Sequence, residues 1–130
     1  MIDAKILIVD DEQETRRTLN EHLFRRINCE ILEASNGYEA IEKIQSNAID
    51  LILLDIKMPG ISGTEVIKKV REVSKDTAII VITKWDSSEI CRQVEESGAE
   101  YIPKPFSLKI VRAKVEEKLK VAGKFSPKQV

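Results

Sequence analysis

A chain of 130 residues and 14.8 kDa has the size of one compact domain, able to bury roughly two-thirds of its unfolded surface. With 42% hydrophobic and 33% charged residues it fits a globular class and excludes long disorder or a fibre, and its apolar runs, such as Ala78 to Ile82, are too short to span a bilayer. Formal net charge is −1, but from Lys104 onward eight Lys or Arg face only Glu116 and Glu117, a local +6 that leaves −7 for the first 103 residues.

Five short apolar runs alternate with five stretches of helical period. The first run is Lys5 to Asp10 (KILIVD), interrupted by charge too early to make a signal peptide, so a cytoplasmic location is expected. A helix carrying Leu19, Leu23 and Ile27 follows, and then a second strand from Cys29 to Ala34. Asn36 with Glu39 marks the start of helix two, whose stripe reads Ile41, Ile44 and Ala48. Strand three runs Asp50 to Asp55, and Ser62 with Glu65 opens a helix bearing Val66, Val70 and Val73. Strand four covers Thr77 to Thr83, and Asp86 with Glu89 opens a mostly polar fourth helix that Gly98 ends. Ala99 to Pro103 is the fifth strand. A last helix carries Leu108, Val111, Val115 and Leu119 and runs out near Val121, so residues 1–121 form the expected domain and 122–130 a loose tail or the start of a linker.

Strict alternation of this kind predicts an α/β fold, a single-domain (βα)5 doubly wound parallel five-stranded sheet with helices on both faces. Its ligand site is expected where the carboxyl ends of the strands meet. Asp10 and Asp11 end strand one, Asp55 ends strand three, Thr83 ends strand four, and Lys104 follows strand five. A lone aspartate there is usually a turn or cap residue. Four strand ends supplying complementary chemistry are a different matter. Three neighbouring carboxylates repel unless a cation joins them, and all-oxygen ligands select a hard ion, with Mg²⁺ the natural choice and Mn²⁺ a substitute. With Lys104 beside the ion, an aspartate can act as nucleophile toward a phosphoryl donor, and Asp55, on the central strand, is the best placed. Thr83 and Lys104 then suit two phosphoryl oxygens.

These segments resemble the receiver domain of two-component response regulators. The likeness rests on ILIVDDE at Ile6 to Glu12, LLDIKMPGISG at Leu53 to Gly63, VIT at Val81 to Thr83, and GAEYIPKPF at Gly98 to Phe106. It implies the strand order 2-1-3-4-5. It also implies Asp55 as phosphoacceptor, and Asp11 and Asp55 as direct metal ligands. Asp10 would act mainly through water, and the Lys57 backbone carbonyl would be a further ligand. Thr83 and Tyr101 match the switch pair, Lys104 matches the phosphate-pairing lysine, and the Lys104–Pro105 bond is expected to be cis. The implied donor is a sensor histidine kinase or histidine phosphotransfer protein, and the implied target an output domain or protein. A homodimer through the helix 4/strand 5/helix 5 face is also consistent with the resemblance. One departure stands out: Lys84, followed by Trp85, occupies the place after the switch threonine where the family usually has a small residue.

Other classes fit less well. A haloacid-dehalogenase-type phosphatase needs a second Asp two residues after the nucleophile, where this chain has Lys57, and a flavin or dinucleotide module needs a phosphate-cradling loop, where this chain has acidic, glycine-free DDEQET. A self-modifying switch, not a classical enzyme, is expected. Cys29 and Cys91 lack partners of metal-site spacing and read as reduced thiols, and His22 reads as a surface or core-edge histidine. The basic C-terminal stretch reads as a solvated helix face, so neither nucleic acid nor membrane is an expected partner.

Overall fold

The computed structural model describes residues 4–56, 60–84 and 88–128. Its elements are β1 (Ala4–Val9), α1 (Gln13–Arg26), β2 (Cys29–Ala34), α2 (Gly37–Ser46), β3 (Leu51–Leu54), α3 (Gly63–Val73), β4 (Ala78–Thr83), α4 (Ser88–Glu96), β5 (Glu100–Pro103) and α5 (Leu108–Val121). The strands form one parallel sheet in the order β2-β1-β3-β4-β5, in agreement with the expected fold class.

Alternation along the inner strands sorts the side chains into two cores, one on each face of the sheet. Leu7, Val9, Ile52, Leu54, Ile79 and Val81 meet Ala40, Ile44, Val66, Ile67, Val70 and Val94 from α2, α3 and α4. Ile6, Ile8, Leu51, Leu53, Ile80 and Ile82 meet Leu19, Leu23, Val111, Val115 and Leu119 from α1 and α5. Strands sandwiched in this way must be apolar on both sides, which is why β1, β3 and β4 read as continuous apolar runs. β2 lies at the sheet edge and is only half covered, so Glu30 and Glu33 are tolerated within it.

Three helix stripes differ from the sequence expectation. Ile27 is buried as expected but lies one residue past α1, in extended backbone. α2 ends at Ser46 and Asn47 takes extended backbone, so the helical period stops before Ala48, which is exposed; Ala40 and Ile44 are the buried pair. In α3 the buried set is Val66, Ile67 and Val70, while Val73, in the last turn, is 52% exposed. The expected caps hold at Asn36, which accepts from Glu39 N at 2.9 Å, and at Ser62, which accepts from Glu65 N at 3.3 Å. The Glu39 carboxylate in turn accepts from Ser35 N at 2.9 Å, and that backbone contact, with the Ser35 hydroxyl, holds its carboxyl below the ordinary glutamate value. The Asp86 cap lies outside the described residues. Gly98 closes α4 with φ +80°.

The segment after α5 returns to the body of the domain. Asn28 N donates to Ser126 O at 2.8 Å, Lys128 N donates to Arg26 O at 3.0 Å, and Phe125 packs against the α1/α5 core. Lys128 Nζ sits 3.6 Å from the centre of the Phe24 ring. The expected loose tail is thus docked as far as Lys128. His22 is half-buried on α1, and burial, followed by the charges of Arg26 and Arg112, lowers its pKa.

Gly63 ties the sheet to the site. Its N–H donates to Ile56 O at 3.2 Å, and a Cβ there would overlap the Ile56 Cα, one residue past Asp55. Gly63→Ala should therefore cost about 1–3 kcal/mol of stability, as overpacking does. Urea denaturation would read this, and an unchanged midpoint would count against the contact.

Candidate functional site

Parallel pairing brings the carboxyl ends of β1, β3, β4 and β5 to one edge of the sheet. Asp10 and Asp55 continue the ladder just past their strands: Asp10 N donates to Ala34 O at 3.1 Å and Asp55 N to Val9 O at 3.0 Å. Both aspartates are buried, at 3% and 6% exposure, whereas Asp11 faces solvent. One carboxylate oxygen from each of Asp10, Asp11 and Asp55 lies within 4.8 Å of the other two. Oxygen-only donors at that spacing can hold a hard divalent ion.

Lys104 completes the group from the loop after β5. Its ammonium donates to Asp10 Oδ2 and to Asp55 Oδ2, each at 3.0 Å, and its side chain is 8% exposed. Burial pulls the Lys104 pKa down, but hydrogen bonds and charge from Asp55 and Asp10 outweigh it, and the net value rises above that of an ordinary lysine. The ammonium therefore stays charged through the neutral range. One cation bridging two buried carboxylates offsets their mutual repulsion.

Thr83 is the last residue of β4 and fully buried. Its carbonyl accepts from Lys104 N at 3.0 Å and, more weakly, from the Tyr101 hydroxyl at 3.5 Å. Tyr101 is half-buried against the α2/α3/α4 core. The Lys104–Pro105 peptide is cis, as expected. Lys84 is exposed; Trp85 and the Lys57 carbonyl lie outside the described residues. Asp10, Asp11, Asp55 and Lys104 thus come together, with Thr83 and Tyr101 on the adjoining strands.

A family model described as the response regulator receiver domain matches residues 6–116. The chain belongs to this family. Among relatives of the receiver domain, sporulation initiation phosphotransferase F of Bacillus subtilis is 32% identical over 120 residues, covering 92% of this chain and 96% of that protein. The transcriptional regulatory protein ResD of the same organism is 43% identical over 125 residues, 95% of this chain but 51% of ResD. The chain spans 31% of a Thermotoga maritima cyclic di-GMP phosphodiesterase, at 34% identity over 88% of its own length. In structure it matches a CheY-like receiver domain from Methanospirillum hungatei with a TM-score of 0.88 and 31% identity, covering 94% of this chain and 98% of that one. It is therefore a two-component receiver domain, a signalling family and not a classical enzyme family. Among the described residues no helix is long and apolar enough to cross a membrane.

The spacing of the sequence gives no reason to single out Arg16, Glu33 or Asn20, yet they form a bonded group beside Asp10. Arg16 donates through Nη1 to the Asp10 carbonyl at 2.6 Å and through Nε to Glu33 Oε1 at 3.0 Å, and Asn20 donates to Glu33 Oε2 at 2.9 Å.

Proposed function

We propose that Asp55 accepts the phosphoryl group in this receiver domain, with a histidine kinase or histidine phosphotransfer protein as donor. The observation that carries this is the single ammonium shared at 3.0 Å by Asp10 and Asp55, two buried carboxylates on neighbouring strands. Asp55 would attack phosphorus through a carboxylate oxygen, forming an acyl phosphate while the P–N bond to the donor imidazole breaks. Lys104 supports one phosphoryl oxygen with its ammonium, and Thr83, at the adjoining strand end, would turn its hydroxyl toward another. Tyr101 is already half-buried beside Thr83, so a shift there would be felt on the α4/β5/α5 face, where we place contact with an output partner or a second copy. Asp11 and Asp55 would hold Mg²⁺, with Asp10 acting through water and the Lys57 carbonyl as a further ligand, and the ion would supply positive charge for the phosphoryl oxygens in addition to that of Lys104; Mn²⁺ would substitute. Incubation with acetyl phosphate and Mg²⁺ should add one phosphoryl group to the wild type, and no gain in mass would refute the reading.

The ligand set makes its own prediction. Asp11→Ala should weaken Mg²⁺ binding at least tenfold, about 1.4 kcal/mol, and Asp10→Ala less, since its contact is expected through water. Isothermal titration showing unchanged affinity for Asp11→Ala would contradict the ligand set.

The basic C-terminal stretch supports a solvated face with no role in nucleic-acid binding. Glu100 binds Lys114 at 3.0 Å and Lys118 at 2.8 Å, Arg112 meets Glu116 at 3.7 Å, and Lys120 and Lys128 lie over Phe125 and Phe24. Duplex DNA should accordingly bind this chain no better than about 10⁻⁴ M at physiological salt. Sub-micromolar affinity in an anisotropy assay would reverse that conclusion.

A further inference from the structure

We infer that Arg16 is a positioning residue for the metal-binding aspartates, acting through the Asp10–Asp11 peptide. The inference rests on the reading of Asp10 and Asp11 as metal ligands. Four hydrogen bonds from four parts of the chain converge on Asp10. Its N–H donates to Ala34 O of β2 at 3.1 Å, and its Oδ1 accepts from Glu12 N at 2.9 Å. Its Oδ2 accepts from Lys104 Nζ at 3.0 Å, and its carbonyl accepts from Arg16 Nη1 at 2.6 Å. That carbonyl lies one residue past β1, so Arg16 supplies the partner that a longer strand would have found in the ladder.

Asp11 shows why the peptide matters. It is exposed, and among the described residues no hydrogen bond or ion pair holds its carboxylate, so its position is inherited from the backbone. The Asp10 C=O and the Asp11 N–H share one rigid plane. Fixing the carbonyl therefore fixes the position of the Asp11 Cα, from which the side chain departs. The anchor is itself anchored: the Arg16 side chain is 14% exposed, and Glu33 holds its Nε while Asn20 holds Glu33. α1 begins at Gln13, and its N-cap residue Glu12 makes no side-chain cap, so this link from the first turn to the end of β1 also registers the helix against the site. The planar guanidinium can bond the Asp10 carbonyl and the Glu33 carboxylate at once, with fixed geometry between them, and an ammonium cannot reproduce that fork.

Three variants and one control, all of the full chain, test this by magnesium titration and by amide exchange in metal-free protein. Arg16→Ala should weaken Mg²⁺ binding about tenfold and speed exchange of the Glu12 amide by a similar factor, leaving core amides such as Leu53 unchanged. Saturating Mg²⁺ should restore the rate of phosphorylation by acetyl phosphate, which separates a binding loss from a chemical one. Arg16→Lys should recover only part of the affinity. Glu33→Gln, which keeps the shape but loosens the guanidinium, should give a smaller loss in the same direction. Arg71→Ala is the structural control. It removes a half-buried arginine that donates to Ser97 O, Lys75 O and Thr77 O away from the site, and should lower stability without moving Mg²⁺ affinity. Wild-type affinity in both Arg16→Ala and Glu33→Gln overturns the positioning role. A wild type that binds no Mg²⁺ refutes the metal-ligand reading itself, and this inference with it.

Discussion

Asp55→Asn should reduce phosphoryl acceptance from acetyl phosphate by on the order of 10⁴-fold or more, the scale of loss when a nucleophile is removed. The amide keeps the shape of the side chain and can still meet Lys104, so the fold should survive. It lacks the anionic oxygen that attacks phosphorus. Neither neighbouring carboxylate is a ready substitute. Both Asp10 oxygens are engaged, one by Glu12 N and the other by Lys104, and Asp11 stands exposed on the loop, at the solvent side of the cluster. Intact-mass measurement before and after incubation decides the matter. Comparable labelling of the Asn variant would move the acceptor to another residue.

The site was largely legible because its chemistry sits at strand ends, and strand ends are where a βα pattern is easiest to read. Continuous apolar runs such as KILIVD and DLILLD stop abruptly at aspartates, so the register of the chemistry follows from the register of the core. Pairwise order was not legible in the same way. Nothing local to β2 says that it pairs with β1 at the edge, and the order 2-1-3-4-5 came from family resemblance. The misses have a common cause. Arg16 finds Glu33 across 17 residues and Asn28 finds Ser126 across 98, so both depend on contacts that exist only once the sheet is built. Ala48 and Val73 failed for the opposite, local reason: a period of 3.6 carries no mark of where the helix stops. At α2 the stop is Ser46, and at α3 it is Val73 itself.

Lys104→Met should lower the rate of phosphoryl acceptance by about 10²–10³-fold, the usual loss when one preorganised electrostatic partner of a reacting oxygen is removed. Magnesium affinity should move the other way. In the metal-free protein the Lys104 ammonium occupies Asp10 Oδ2 and Asp55 Oδ2, so a cation arriving at those carboxylates competes with it, and removing the ammonium leaves more negative charge for the ion to neutralise. The pH dependence follows from the raised pKa of Lys104, to which burial is opposed and the two aspartates contribute. A folded-state value above the unfolded one makes its stabilising contribution complete below about 10.4, the ordinary lysine value, and lost as pH rises through the folded value. Wild-type stability should therefore show an alkaline loss that Lys104→Met lacks, with no corresponding change near neutrality. Rate, metal titration and alkaline unfolding together separate an electrostatic role from a packing one. If rate and Mg²⁺ affinity both fell in the variant, Lys104 would be holding the pocket together and not serving the transferred group.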